Sequence, residues 1–333
     1  MKKVRLGFIG CGNISHHHVR IFLSRVPEAE IVALCDPNPA GLQRFQRELF
    51  DPLGHRPQAF ADYREMLKQV SLDGVVIATP HTQHFQQAMD ALSAGCHVLL
   101  EKPMVTRVDH ARALIAHAEK QHRVLSVAFP GPFSGEFAYC RQLRERGELG
   151  DVLFLNACLA QSWLSITVNT WRQDPAQAGG GQAYDSGAHL FNTMLYLTHL
   201  RPVEVFAWCD MRGTPVDINT VATIRFDTGA LASVCVGGDG AVSWDSSVLC
   251  VGTRGAFRVG VHGGFVEHWN AKGEKVRYPH VPDVPTMQQN FVDCILGRAE
   301  TPCPAIWGLR QALLMDALYE SARTGRVAKV QPE

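Results

Sequence analysis

Three groups of residues in this 333-residue chain have the types and spacing to do chemistry. The first is Gly10-Cys11-Gly12-Asn13-Ile14-Ser15, directly after the apolar run Val4–Ile9. Gly10 allows a tight turn out of a strand, and Gly12 lets the backbone approach a pyrophosphate. A small third residue, Ser15, lets the next helix pack on the sheet. The start of that helix offers free N–H groups and partial positive charge to phosphates. Asp36 follows at the end of a second apolar run. A carboxylate there accepts hydrogen bonds from an adenosine ribose and repels a 2′-phosphate, which favours NAD over NADP. Without the flanking elements and Asp36, the same residues would be only a strand–helix turn.

The second group is Glu101-Lys102-Pro103, at the carboxyl end of a parallel strand, the edge where open α/β sheets bind ligands. A charged lysine there lowers the pKa of a nearby alcohol or acid–base group. It is equally compatible with a surface lysine in a turn. The third group runs Gly179-Gly180-Gly181-Gln182-Ala183-Tyr184-Asp185-Ser186-Gly187-Ala188-His189. Its glycines allow close approach to another group. Asp185 and His189 stand one helical turn apart, so a carboxylate can fix the tautomer of a general acid or base. The spacing also fits a helix-start aspartate near an ordinary histidine, or two metal ligands. A third clear ligand is missing, so no metal is expected. His16-His17-His18 lies within the first helix, where consecutive residues point apart and cannot form one metal site. Tryptophans 163, 171, 208, 244, 269 and 307 read as core or interface. Trp171, beside Arg172, is also a candidate for the substrate cleft.

The elements that must position these residues follow from periodicity. Strands at Val4–Ile9, Ile31–Cys35, Val75–Ala78, Val98–Leu100 and Val124–Ala128, with a weaker one around Phe60, alternate with helices. Those helices cover Ile14–Val26, Pro39–Leu49, a short turn capped by Asp62, His84–Ala94, and a stretch capped by Asp109 to about Gln121. This alternation predicts a doubly wound parallel sheet, a Rossmann domain, over residues 1–128. Pro130-Gly131-Pro132 marks the boundary. Residues 129–333 predict helices at Phe137–Arg146 and Leu190–His199 and a strand from Gly150 to Leu159. Further strands are expected at Val203–Cys209, Thr220–Phe226, Ala230–Val236, Ser247–Gly252 and Ala256–Val261. With no helices between these last five, they should form a large, mostly antiparallel sheet. An amphipathic helix, Ile306–Ala322, follows.

Composition excludes several classes. The 32 basic and 32 acidic residues balance, and no basic run marks a nucleic-acid footprint. Ten scattered cysteines without a CxxC pair read as reduced thiols in a cytoplasmic protein. The short apolar run after Met1-Lys2-Lys3 is better read as a strand than as a signal peptide. No apolar run approaches the ~18–20 residues that span a bilayer.

Together the motifs resemble the Gfo/Idh/MocA oxidoreductases, the family of glucose–fructose oxidoreductase and inositol 2-dehydrogenase. The resemblance runs through the glycine loop, Cys35-Asp36, Thr79-Pro80 with His84, and Ala94-Gly95-Cys96-His97-Val98 leading into Glu101-Lys102-Pro103. It continues through Trp171-Arg172, Gly180-Gly181, Asp185, Gly187 and His189. It ends with Val251-Gly252-Thr253-Arg254-Gly255 and Ser321-Ala322-Arg323-Thr324-Gly325.

The resemblance implies that Gly10, Gly12, Asn13, Ile14 and Asp36 meet the cofactor, and that Thr79, Pro80, His84, Glu101 and Lys102 line its groove. Lys102 would contact the nicotinamide region and the reacting hydroxyl, and the Lys102–Pro103 bond would be cis. Asp185 would orient substrate and histidine, and His189 would remove the hydroxyl proton. Trp171 and Arg172 would join Lys102, Asp185 and His189 around the substrate. The expected activity is NAD-dependent hydride transfer at a secondary hydroxyl of a sugar, inositol or related polyol, in a homodimer or homotetramer. Two other readings are an NAD-dependent glycosidase using transient sugar oxidation and a non-catalytic cofactor sensor. Where many members carry an arginine after the last Rossmann strand, this chain has Phe129-Pro130-Gly131-Pro132-Phe133. That arginine's substrate contact therefore cannot be carried over.

Overall fold

The apolar run Val4–Ile9 forms β1, and five of its six residues are buried. It leads through the glycine loop into α1 (Asn13–Arg25). β2 (Ala29–Cys35), α2 (Pro39–Leu49), β3 (Gln58–Phe60), α3 (Tyr63–Gln69) and β4 (Gly74–Ile77) follow, then α4 (His84–Ser93), β5 (His97–Leu100), α5 (Val108–Lys120) and β6 (Leu125–Val127). This computed structural model describes residues 2–241, 244–277 and 279–333. The six strands form one parallel sheet in the order β3-β2-β1-β4-β5-β6. β4 is buried at every residue, as a strand covered on both faces must be. The order reverses beside β1, the switch point at which such sheets bind ligands.

Local caps explain several helix starts. Asn38 accepts from the amide of Gly41 with Pro39 at the first helical position, and Asp62 accepts from that of Arg64. Asp109, expected as a cap, lies inside the first turn of α5, where its charge still suits the helix dipole.

Beyond Phe129 come α6 (Gly135–Glu145), β7 (Val152–Ala160), the short α7 (Trp163–Ile166) and α8 (Pro175–Ala178), and α9 (Gly187–Thr198). β8 (Pro202–Asp210), β9 (Asn219–Phe226), β10 (Leu231–Gly237), β11 (Trp244–Gly252), β12 (Ala256–Gly260) and β13 (Val266–Trp269) build the second sheet. After α10 (Met287–Ile295) and α11 (Ile306–Thr324), the two-residue β14 (Ala328–Lys329) adds its last edge. The order is β13-β12-β11-β7-β10-β9-β8-β14. Its pairs are antiparallel except β7 with β10, which are parallel. The sheet is thus mostly antiparallel, as expected, with the one parallel pair arising because β7 sits between β10 and β11.

Burial alternates strictly along β9 and β10, so one face of this sheet is covered and the other open. α9 lies against β7 and β11. α11, expected to be amphipathic, is buried on several sides, including Trp307, Gln311, Leu314 and Met315.

The chain divides into two compact units. One comprises residues 1–105, 109–128 and 285–306, and the other residues 106–108, 129–284 and 307–333. Sequence order alone would assign 285–306 to the second. In the structure its helix α10 packs on α1 of the first.

Candidate active site

In the first unit, the glycine loop has the shape a dinucleotide needs. Gly10 has φ +92°, and a Cβ there would lie 2.5 Å from the carbonyl oxygen of Ala78, so only glycine fits. Ser15 is buried and donates to the carbonyl of Gly10 at 2.6 Å. Gly12 starts α1 without a side-chain cap, and a Cβ there would meet nothing within 4 Å. The helix start is therefore open to a phosphate. Asn13 and Ile14 are exposed beside it, Ile14 by 42 %, an unusual place for a large apolar side chain. Asp36 accepts from the amides of Cys11 at 2.8 Å and Asn38 at 2.9 Å. This ties the tip of β2 to the loop and leaves lone pairs for ribose hydroxyls. The residues present fit NAD.

Farther along the sheet edge, Thr79 and Pro80 are half-buried after β4, and the Thr79 hydroxyl donates to the Gln87 side chain. His84 has no exposed surface. Its ring nitrogens face the carbonyls of Pro103 and Thr79, both at 2.9 Å. Burial holds its pKa below the ordinary value, against the pull of those carbonyls. His84 thus braces two walls of the groove and, fully enclosed, does not itself present a surface to a cofactor.

Glu101 ends β5 as a buried carboxylate. One oxygen lies 2.8 Å from His18 Nε2, and the other accepts from the Lys102 amide at 3.2 Å. Burial pushes this carboxyl up, but the His18 bond and the neighbouring positive charges outweigh it, and the net direction is down. Lys102 is half-buried, and the Lys102–Pro103 bond is cis, as the resemblance implied. The three histidines diverge as expected. His16 packs on Phe45 and faces Glu48 at 3.7 Å, His17 is exposed, and His18 is buried. Among the described residues no cluster could hold a metal ion.

In the second unit, every residue of α9 except His189 is buried. Its first turn carries His189 where the helix is open. Thr193, one turn on, donates to the carbonyl of His189 at 2.7 Å and to that of Val261 at 3.4 Å. This brings the exposed His262 ring to 4.4 Å from that of His189, edge to face, with Phe129 at 6.0 Å. Asp185 sits just before the helix. Its Oδ2 accepts from the Trp163 indole at 2.9 Å and the Arg172 guanidinium at 3.0 Å, and that guanidinium lies 4.4 Å over the Trp171 ring. Trp171, Arg172 and Asp185, all read from sequence as substrate residues, are therefore brought together.

The glycine run has an explanation that sequence did not offer. A Cβ on Gly181 would lie 1.9 Å from the carbonyl oxygen of Asp217, so the close approach is to the chain itself. The buried Asp217 carboxylate accepts from the amides of Gly181 at 2.8 Å and Ala183 at 2.9 Å, and from the hydroxyl of Tyr319 at 2.6 Å. Burial and the charge of Asp217 hold the Tyr319 hydroxyl protonated, well above its usual pKa. Asp217, Tyr319 and His262 were not singled out from sequence, and Trp163 and His18 were read only as core or interface and as part of the first helix. The one available cue was a carboxylate set in the apolar stretch Val216-Asp217-Ile218.

An open glycine loop at a sheet's switch point, with an acidic residue at the tip of β2, defines a dinucleotide-binding domain. Comparison with known proteins makes this specific. Residues 4–129 match the oxidoreductase family with an NAD-binding Rossmann fold, and residues 137–258 match the Gfo/Idh/MocA C-terminal domain. The chain belongs to the Gfo/Idh/MocA family, and its first domain is that family's NAD-binding domain. It is 25 % identical to the uncharacterized oxidoreductase YrbE of Bacillus subtilis, over 99 % of this chain and 97 % of that one. It is 22 % identical to scyllo-inositol 2-dehydrogenase (NAD(+)) of the same organism, over 88 % and 86 %. The WlbA dehydrogenase of Bordetella pertussis, solved with NADH and UDP-GlcNAcA, shares the fold with a TM-score of 0.85 at 24 % identity, each chain covered in full.

Proposed function

We propose that this oxidoreductase oxidises a secondary hydroxyl of a sugar, inositol or related polyol, reversibly and with NAD. The observation that carries the reading is the placement of His189 at the one position of α9 that is not buried. A buried helix that opens only at an imidazole presents an acid–base group and little else. Bound NAD supplies the hydride acceptor. Gly10, Gly12, Asn13, Ile14 and Asp36 would hold its diphosphate and adenosine ribose, with Thr79, Pro80 and Glu101 along the groove. Lys102 would hold the reacting hydroxyl and favour its alkoxide character through its charge. His189 would accept the hydroxyl proton. Asp185, fixed by Trp163 and Arg172, would orient the substrate, and Trp171 would flank it. The relatives named for inositol and nucleotide-sugar chemistry support this substrate class.

The test is NAD reduction over a panel of polyols, sugars and amino sugars. Lys102→Ala and His189→Ala are each expected to lower turnover at least a thousandfold while NADH still binds with wild-type fluorescence enhancement. Unchanged turnover in both would overturn the reading.

Two finer statements belong to the same proposal. The chain assembles with copies of itself through the open face of its second sheet, where Phe154, Trp208, Val221 and Leu231 are 46–63 % exposed. It works in a reducing, cytoplasmic setting, consistent with ten free cysteines and with no described helix long and apolar enough to cross a membrane.

A further inference from the structure

We propose that His18 and Gln288 are positioning residues for Lys102, acting through the Glu101 carboxylate. The inference rests on the role given to Lys102 above. Three elements far apart in sequence meet here. His18 comes from α1, Glu101 from the end of β5, and Gln288 from α10, 270 residues beyond His18. All three side chains are buried, at 2 %, 7 % and 3 % exposure.

A buried carboxylate is costly unless its oxygens are bonded, and a buried polar cluster is at best a weak contributor to stability. This cluster is nevertheless fully directional. The Gln288 amide nitrogen stands 2.8 Å from His18 Nδ1 and donates to it. Nδ1 is then an acceptor, so a neutral ring carries its hydrogen on Nε2 and donates it to Glu101 Oε1. Glu101 Oε2 takes the amide of Lys102. The relay runs amide to imidazole to carboxylate and ends on the backbone from which the lysine side chain starts. It also ties Lys102 to α1, the helix whose first turn faces the cofactor phosphates. The helix that meets the diphosphate and the lysine that meets the hydroxyl are thereby held in one register. An apolar core at this place would fill the volume but could not anchor that amide.

The experiment uses the chain in full and three readouts that a space-filling role would not move together. Nitrogen-15 spectra of histidine-labelled protein should find the neutral His18 ring as the Nε2–H tautomer. Residue-resolved hydrogen exchange should find the Lys102 amide protected, and at least tenfold faster in His18→Leu and Gln288→Leu, with Val98–Leu100 as protected as before. In the polyol assay, both variants should lose at least tenfold in kcat while KM for NAD changes less than threefold. Gln288→Glu, which cannot donate to Nδ1, should behave like Gln288→Leu. If His18→Leu does not fold, the Gln288 variants decide. Unchanged Lys102 exchange, an Nδ1–H tautomer, or a loss confined to KM for NAD would overturn the proposal. If the wild-type chain oxidises no member of the panel, the proposed reaction falls, while exchange at Lys102 still decides this inference.

Discussion

At the scale of single residues, Asp36 performs two tasks with one carboxylate. It holds the Cys11 amide of the glycine loop, and in the proposed role its remaining lone pairs would bond the adenosine ribose. Hydrogen bonds to an ionised group contribute about 1.5–3 kcal/mol. Asp36→Ala should therefore raise KM for NAD at least tenfold, and the preference for NAD over NADP should shrink by a further factor of ten, as steady-state kinetics with each cofactor would measure. Retained preference would mean that another group excludes the 2′-phosphate. Where residues of this kind stand was readable from sequence because their placement is local. Asp36 ends a strand, Lys102 follows one, and Asp185 and His189 are a helical turn apart. His18 and Asp217 were not readable, since each takes its role from a partner brought in by the fold, Gln288 for one and Gly181 with Tyr319 for the other. Trp163, read as core or interface, is buried; its indole hydrogen bond to Asp185 could not be inferred from its type.

At the scale of elements, the glycine run is shaped by what presses on it. Gly181→Ala would drive a methyl into the Asp217 backbone, and overpacking of this sort costs roughly 1–3 kcal/mol. Chemical denaturation should record a loss in that range, with turnover falling because the same loop carries Asp185. The end of the Rossmann sheet gives a pH prediction. His97 accepts the amide of Val124 at 3.0 Å, and burial pulls its pKa down to about 4. Folding therefore favours the neutral ring. Its contribution is complete above the unfolded value near ~6.5 and is lost as pH falls from there toward 4. His97→Gln should flatten this part of the stability–pH curve, and a curve unchanged by the substitution would refute the assignment. Most strands and helices lie within about three residues of their sequence expectation, because apolar periodicity is a property of the segment itself. The parallel pairing of β7 with β10 is not, since it depends on which of seven later strands reaches each flank of β7.

At the scale of the whole molecule, periodicity divides the chain in sequence order, whereas the fold returns residues 285–306 to the first unit. That return was invisible because a short helix such as α10 carries no mark of where it docks. It is also what brings Gln288 to His18. The open sheet face is a different case, since alternation of burial along β9 and β10 is written in their residues. Strand register puts Leu231 beside Phe154, Val221 beside Trp208, and Cys235 beside Val221, all on that face. Exposed apolar side chains gathered on one sheet face are costly to leave in water, and a charge introduced among them must be desolvated on assembly. Leu231→Glu combined with Trp208→Glu should therefore convert the assembly to single chains by light scattering coupled to gel filtration, with NADH binding retained because the altered residues lie outside the Rossmann domain. A wild-type chain that is already monomeric at micromolar concentration would refute self-association. An assembly untouched by both charges would place the interface on another surface.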